Sequence, residues 1–421
     1  MRAGRALRDV ADRNAYKKDH LPSTETASRL CNQLYGWKSR LGPAIPSGAG
    51  GKSRAANGTK ACNTVSDPQF KDATRPTLKD IAERSDLTVA SVSRILRNKG
   101  NWSPHTREKV NRVAEELRYR PNRLVHGMRS QKTQTIGVMF AAPTSYFSLV
   151  MAGIQQGLAE RDYLSLTLWG WRRMSGPSRE MSDSQREFRW IHRLIEHRVD
   201  GVILGPVDPE AGEKQLIEIR EHGLDVVLVD FDIAGVDADY VASDDVAGGR
   251  RATRYLLDMG HRRLGCVVAS SMWPPIVRRM QGCRAEVREQ SDASLEIYEC
   301  STGSFEDGER AGAILDGPNR PTALLATNDV VAVGLYRAAA ARGLRIPEDL
   351  SIIGFGPSFP PGVFAPPLTI MDQHPEQIGR MAAARMVDLQ RQTSKLEALP
   401  ERILVPPDLL EGGSVAPPPA D

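Results

Sequence analysis

The sequence predicts an all-α helix-turn-helix head followed by an α/β body of two doubly wound lobes. Two short helical patterns joined by a tight turn fill Thr77 to Leu96, TLKDIAERSDLTVASVSRIL. From Thr135 onward, short apolar runs alternate with amphipathic segments. The charge divides along the same line: Lys and Arg number 14 against 6 Asp and Glu in residues 1–75, 13 against 6 in 76–133, and 29 against 40 in 134–421. A basic head on an acidic body is the charge pattern of a polyanion binder kept soluble by its larger part.

With 421 residues and 40% hydrophobic content, the chain can build more than one packed core, which excludes disorder throughout. No apolar run reaches the roughly 18 residues a bilayer span needs, and the first residues lack the apolar stretch of a secretory signal, so a cytoplasmic protein without membrane contact is expected. The five cysteines, Cys31, Cys62, Cys266, Cys283 and Cys300, are widely spaced and form no CxxC or Cys/His cluster. Free thiols are expected, with neither a disulfide framework nor a metal site.

Residues 1–75 are rich in Gly, Ser, Thr, Asn, Lys and Arg without sustained period and read as a disordered extension. The head follows over 76–121. Thr77 with Asp80 makes a capping-box-like start, and Leu78, Ile81 and Ala82 fall on one helical face. Ser85-Asp86-Leu87 forms the turn, with Asp86 at a position that favours left-handed backbone. Thr88 opens a second helix that points Val92, Ile95 and Leu96 inward. Helices this short are marginal alone and need a partner. SPHTREKVNRVAEELRY provides it, with Ser103 as N-cap, Pro104 in the first turn, and Val110, Val113, Ala114 and Leu117 at helical spacing. That inward assignment leaves Val89, Ala90, Ser93 and Arg94 facing out, the edge a recognition helix offers to a DNA major groove.

In the body, TIGVMF, SLTLW, DGVILG, DVVLVDF, YVASD, LGCVVAS, LEIYEC, TALLAT and LSIIGF read as strands separated by helices, including Leu149 to Arg161, Phe188 to Arg198 and Lys214 to His222. Repeated strand-helix-strand units imply parallel sheets covered on both faces, and so many strands favour two lobes. The acidic run DFDIAGVDADYVASDD lacks the closing Glu of a calcium loop and reads as a solvated loop and strand end. His261 reads as a turn-ordering residue. No GxGxxG follows a strand, and neither GxxxxGK[ST] nor a GxSxG elbow occurs, so neither an enzyme nor a cofactor is expected.

TLKDIAERSDLTVASVSRILRN, then SPHTREKV and LRYRPNRLVHGMRS, resembles the head and hinge of the lactose/galactose repressor (LacI/GalR) family. The likeness runs from about Pro76 to Glu411 and includes SDDVAGGRRATRYLLDMGHRRLG, ATNDVVAVGLYRAAAARGLRIPEDLSIIGFG and LTIMDQ. It implies a periplasmic-binding-protein type I fold for residues 134–411, in which the chain crosses three times between lobes. Lobe one is expected over Thr135 to Ile233 plus Pro375 to Lys395, and lobe two over Ala234 to Gln373 plus Glu401 to Glu411. Residues 412–421, ending VAPPPAD, are expected to be a disordered tail that cannot form a tetramerising helix.

The resemblance further implies that Val89, Ala90 and Arg94 read bases and that Thr77, Thr88 and Ser93 hold phosphates, with Leu78 in the same DNA-facing set. Asn122 to Met128, within the 122–133 hinge, match a helix that forms on operator DNA. Asn122, Arg123 and Val125 belong to its DNA-contacting residues, and Met128 stands where the family has a leucine wedge for a minor-groove step. One head buries little surface, so a homodimer spanning two half-sites of double-stranded operator DNA is expected.

A small effector, a sugar or sugar acid, is expected between the lobes. Asp329 matches a family carboxylate facing the crevice, and Arg279 stands where related repressors place a ligand-contacting Arg. Trp273, Tyr146 and Phe147, with Trp171 as a further candidate, would supply stacking faces. Thr144-Ser145-Tyr146-Phe147 replaces the family's Asn-Pro-aromatic-aromatic segment, and Phe355-Gly356-Pro357 replaces an aromatic followed by two acids. A transporter's solute-binding protein would share such a body, but has no use for Thr77 to Leu117.

Overall fold

The computed structural model describes residues 76–120, 132–140, 144–169, 183–205, 209–233, 236–269, 273–301, 303–356, 359, 362–392 and 399–419. The expected 1–75 extension, Trp171 and most of the hinge, with Asn122, Arg123, Val125 and Met128, lie outside these residues.

The head is three helices, α1 (Leu78–Ser85), α2 (Val89–Ile95) and α3 (Pro104–Glu116). Asp80 fixes the start of α1: its carboxylate accepts the Thr77 N–H at 2.6 Å and the Thr77 hydroxyl at 2.8 Å, bonds that hold it below the usual carboxylate pKa range. Asp86 ends α1 in left-handed backbone, φ 58° and ψ 46°. Thr88 Oγ1 caps α2 by accepting the Ser91 N–H at 3.2 Å, and Ser103 caps α3 through Thr106 N at 3.1 Å, each satisfying a donor that helix geometry leaves without a partner. Ile81, Ala82, Val92, Ile95, Val110 and Ala114 form the core, with Leu78, Leu96 and Trp102 packed at its edge.

The body follows as β1 (Thr135–Phe140), α4 (Ser145–Ala159), β2 (Leu164–Trp169), α5 (Asp183–Glu196), β3 (Gly201–Gly205), α6 (Pro209–Glu221), β4 (Asp225–Val229) and β5 (Asp239–Ser243). Next come α7 (Asp245–Asp258), β6 (Arg263–Val268), α8 (Pro274–Arg288), β7 (Ser294–Glu299), α9 (Phe305–Ala311), β8 (Ala323–Ala326), α10 (Asp329–Ala341) and β9 (Ser351–Phe355). The last elements are β10 (Thr369–Asp372), α11 (Pro375–Arg391), β11 (Arg402–Val405) and β12 (Asp408–Leu410). Helix α4 starts four residues before the expected Leu149, because Thr144 Oγ1 accepts the Phe147 N–H at 3.2 Å and so caps it early.

The first sheet runs β11-β5-β4-β3-β1-β2 and is wholly parallel. The second runs β12-β10-β9-β8-β6-β7, with β12 antiparallel. Strand β1 shows why both faces of the first sheet are covered: Ile136, Val138 and Phe140 enter a core with α4 and α11, while Met139 enters another with α5 and α6.

Two boundaries differ from expectation. Strand β5 and strand β11 both belong to the first sheet, so the chain first changes lobe after Ser243 and not near Ile233. The later changes follow β10 and β11. The acidic run is likewise not a solvated loop: Asp230, Asp239 and Asp245 are buried, and Asp239 accepts from Arg385 Nε at 2.5 Å and Glu401 N at 3.0 Å. This buried pairing ties β5 to α11 and to the approach of β11.

The tail beyond 411 is not disordered through residue 419. Ser414 is fully buried, donating to Ile352 O at 2.6 Å and accepting from Thr369 N at 2.8 Å. His261 lies beneath it, its ring nitrogens 2.8 Å from Thr322 Oγ1 and 2.9 Å from Ala416 O, an ordering role for this buried residue. Cys266, Cys283 and Cys300 are free and buried. No described helix is long and apolar enough to cross a membrane.

Candidate functional site

Two regions gather the residues singled out from sequence, the outer face of α2 and a cleft lined by both lobes. On α2, Val92 and Ile95 are sealed in the head core, and that fixes the rotation of the helix. Val89 is left 44% exposed, with Ala90 and Arg94 exposed beside it. A large apolar side chain held in water costs free energy unless something covers it. Thr77 and Thr88 are also exposed. Leu78 turns its side chain toward the head core, so the group it keeps available outward is its backbone N–H at the helix start.

Ser93 is half-buried, and its hydroxyl accepts a hydrogen bond from Arg97 at 2.6 Å while its carbonyl accepts Arg97 Nε at 2.7 Å. Arg97, four residues on, thus lies along the same face. Sequence reasoning missed it, although i,i+4 spacing on a short helix was a usable signal.

The cleft, about 660 Å³ when the open solvent at its mouth is counted, includes all five residues expected to meet an effector: Tyr146, Phe147, Trp273, Arg279 and Asp329. Tyr146 and Phe147 stand on the first turn of α4, Trp273 precedes α8, Arg279 lies within α8, and Asp329 begins α10. The aromatics also bear on the cores, Tyr146 and Phe147 on the first lobe and Trp273 on the second. Phe147 lies 5.1 Å from Phe140, 5.3 Å from Tyr146 and 6.4 Å from Phe231 between ring centroids, so the first-lobe wall is a packed aromatic cluster.

Sequence reasoning missed Asp230, Phe231, Asn328 and Gln373, which also line the cleft, and Asp245 behind it. Asp230 is 5% exposed, has φ 61°, and accepts the Tyr146 hydroxyl at 3.1 Å. Burial, reinforced by the neighbouring charge of Asp245, raises its pKa to about 7. Burial also pushes Tyr146 up, with Asp230 and Asp245 adding to the effect.

Arg279 is 6% exposed and already committed: Nε donates to Asp245 Oδ1 at 2.8 Å, one terminal nitrogen donates to Thr327 O at 2.5 Å, and the guanidinium stacks 4.8 Å from the Phe355 ring centroid. The pair depends on how α7 meets α8. A Cβ on Gly249 would lie 2.1 Å from Arg279 O, and one on Gly282 would lie 2.2 Å from Val246 O, so only glycines allow the crossing that aligns Asp245 with Arg279.

Its neighbour Arg278 reaches across to the first lobe, donating to Asp232 Oδ1 at 2.9 Å, Asp230 O at 2.9 Å and Tyr240 Oη at 2.8 Å. Adjacent arginines on α8 therefore organise the two walls separately. Arg278 holds the first, Arg279 the second.

The model for "Bacterial regulatory proteins, lacI family" matches residues 77–122, and that for "Periplasmic binding protein-like domain" matches residues 253–415. The chain is 28% identical over 342 residues to the ribose operon repressor of Escherichia coli K12, covering 80% of this chain and 99% of that one. It is 29% identical over 358 residues to the HTH-type transcriptional regulator DegA of Bacillus subtilis, covering 82% and 99%. Among solved structures, the lac repressor dimer bound to operator and the anti-inducer ONPF is similar in fold, with TM-score 0.68 at 23% identity over 81% of this chain and 99% of that one. A regulator from Enterococcus faecium with bound ribose has TM-score 0.56 at 26% identity, covering 67% and 99%.

Proposed function

Because the chain belongs to the LacI/GalR family of DNA-binding transcriptional regulators, we propose that it is a cytoplasmic repressor that binds a palindromic operator as a homodimer and answers to a small polyhydroxylated effector in its cleft. The observation that carries this reading is the division of α2, with Val92 and Ile95 sealed inward while Val89, Ala90 and Arg94 stand in water. An Arg fork can take both acceptors of guanine, and small apolar groups can meet a thymine methyl. Thr77, Thr88 and the Ser93–Arg97 pair would hold phosphates on either side and set the register. Asn122, Arg123, Val125 and Met128 would complete the contact from the hinge, with Met128 as the minor-groove wedge.

Control follows from a ligand that binds two lobes and favours one of their arrangements over another, so that the paired heads are held in register or released. Residues from both lobes line the cleft, which supports this coupling.

The test is Arg94→Ala in operator and random-sequence binding at fixed salt. Discrimination should fall by about 1–3 kcal/mol. Equal losses on both DNAs would show that Arg94 contributes charge alone, and no DNA binding by the unaltered protein at low salt would end the repressor reading.

A further inference from the structure

Arg278 stands on α8, in the second lobe, yet its guanidinium donates to three groups of the first: Asp232 Oδ1 at 2.9 Å, Asp230 O at 2.9 Å and Tyr240 Oη at 2.8 Å. Those acceptors are already joined to one another. Tyr240 donates its own hydroxyl to Asp230 O at 2.9 Å, and Asp232 accepts Arg402 of β11 at 2.8 Å through its other oxygen, with the Arg402 guanidinium 4.5 Å from the Tyr240 ring centroid. Asp230, Asp232, Tyr240 and Arg402 all belong to the first lobe, so Asp232 and Asp230 O each keep a partner when Arg278 leaves.

Contacts elsewhere tie the lobes at the chain crossings. Gln373 Nε2 donates to Asp245 Oδ1 at 3.4 Å, and His374 Nε2 lies 3.0 Å from Asp408 Oδ2, each pair built from residues that enter or leave a crossing. A rotation about the crossings changes such contacts little, but it carries α8 away from the segment after β4. The side chain of Arg278 is 23% exposed and that of Asp232 29%, dry enough for a charge-assisted pair to hold and wet enough for water to replace it on release. Two satisfied arrangements of one contact are what a two-state element requires. The contact also borders the cleft: Asp230 meets Arg278 with its carbonyl and lines the cleft beside Phe231, while Arg279 lines the opposite wall from the next position on α8.

We propose that Arg278 is a latch between the lobes, holding them together over the cleft through Asp232, Asp230 O and Tyr240 before any effector arrives, and positioning the Asp230–Phe231 wall. This deepens the reading of the cleft as the effector site and rests on it for what the latch serves. The latch sets the share of the closed form that exists without ligand, and so how far a ligand can shift the lobes.

Spin-label distances in the full chain, without DNA or ligand, test the idea. Labels on noncanonical residues replace Lys214 on α6 and Arg288 on α8, both exposed, in protomers diluted with unlabelled protein. Arg278→Met keeps an apolar stem and removes the donors, and should raise the ratio of longer- to shorter-distance populations about tenfold. Arg402→Met takes an arginine from the same Asp232 without cutting a contact between lobes, and should leave the parent's ratio. Arg278→Lys, a single ammonium in place of a fork, should fall between the two. A parent-like distribution in Arg278→Met, or equal opening in Arg402→Met, would overturn the latch. Should Arg278→Met fail to fold, a parent-like distribution in Arg278→Lys would overturn it as well. Because neither DNA nor ligand enters the measurement, the latch and the effector reading fail separately.

Discussion

Asp230→Asn should stabilise the protein above neutral pH. In the folded chain the carboxyl titrates near 7, against an ordinary value of 3.8, because burial penalises the ionised form and Asp245 adds repulsion. The folded state thus holds a proton that the unfolded chain has released over the interval between those values. The pKa is raised, so the stability tied to that proton is complete below about pH 4 and lost as pH rises through about 7. A shift of about three units at 1.36 kcal/mol each sets the loss at roughly 4 kcal/mol, an upper value because cleft water screens part of it. Asn keeps an acceptor for the Tyr146 hydroxyl and carries no charge, so it escapes the loss. Asp245 is shifted in the same direction, but it is present in both proteins and largely cancels in the comparison. Urea unfolding of both proteins from pH 4 to pH 8 should give a difference near zero at the acid end and a few kcal/mol in favour of the variant at pH 8. A difference that stays flat, or an unaltered protein that loses stability as pH falls from 7 to 4 with the variant following in parallel, would refute the account of Asp230.

The α7–α8 crossing gives a second expectation: Gly282→Ala forces a methyl to within 2.2 Å of Val246 O, so the helices must separate and the Asp245–Arg279 pair must lengthen. The expected cost is about 3–5 kcal/mol, as for breaking a buried ion pair, and a chemical-denaturation midpoint equal to the parent's would contradict the crossing. In the head, Ile95→Ala empties a site 1% exposed within a core of six buried residues, and should cost about 2–5 kcal/mol. Operator binding should be lost while effector binding in the cleft persists; retained operator affinity would mean that the head does not depend on this core.

What could be read from the chain alone was whatever follows local chemistry. Capping residues, turn chemistry and apolar periodicity marked the head helices, because Thr77, Asp80, Asp86, Thr88 and Ser103 act on backbone groups within four residues of themselves. Strand-helix alternation marked the two doubly wound lobes for the same reason. The same periodicity turned Val89, Ala90 and Arg94 outward on α2, and the resemblance to a known body added the five cleft residues; the structure leaves the first three exposed and puts the other five in the cleft lining.

The tertiary structure decided what depends on contacts between distant segments. Only strand pairing assigns β5 and β11 to the first lobe, and only the hydrogen bonds of Ser414 with Ile352 and Thr369, and of Gly413 with Pro367, explain why a Gly- and Pro-rich tail packs around Ser414. The acidic run illustrates the limit most clearly, since its composition reads as solvated whereas the carboxylates of Asp230, Asp239 and Asp245 are buried against partners 34 to 162 residues away. Charge in a sequence is a sum over residues, but its effect is set by distance and solvent access. Those two quantities appear only when the chain has folded.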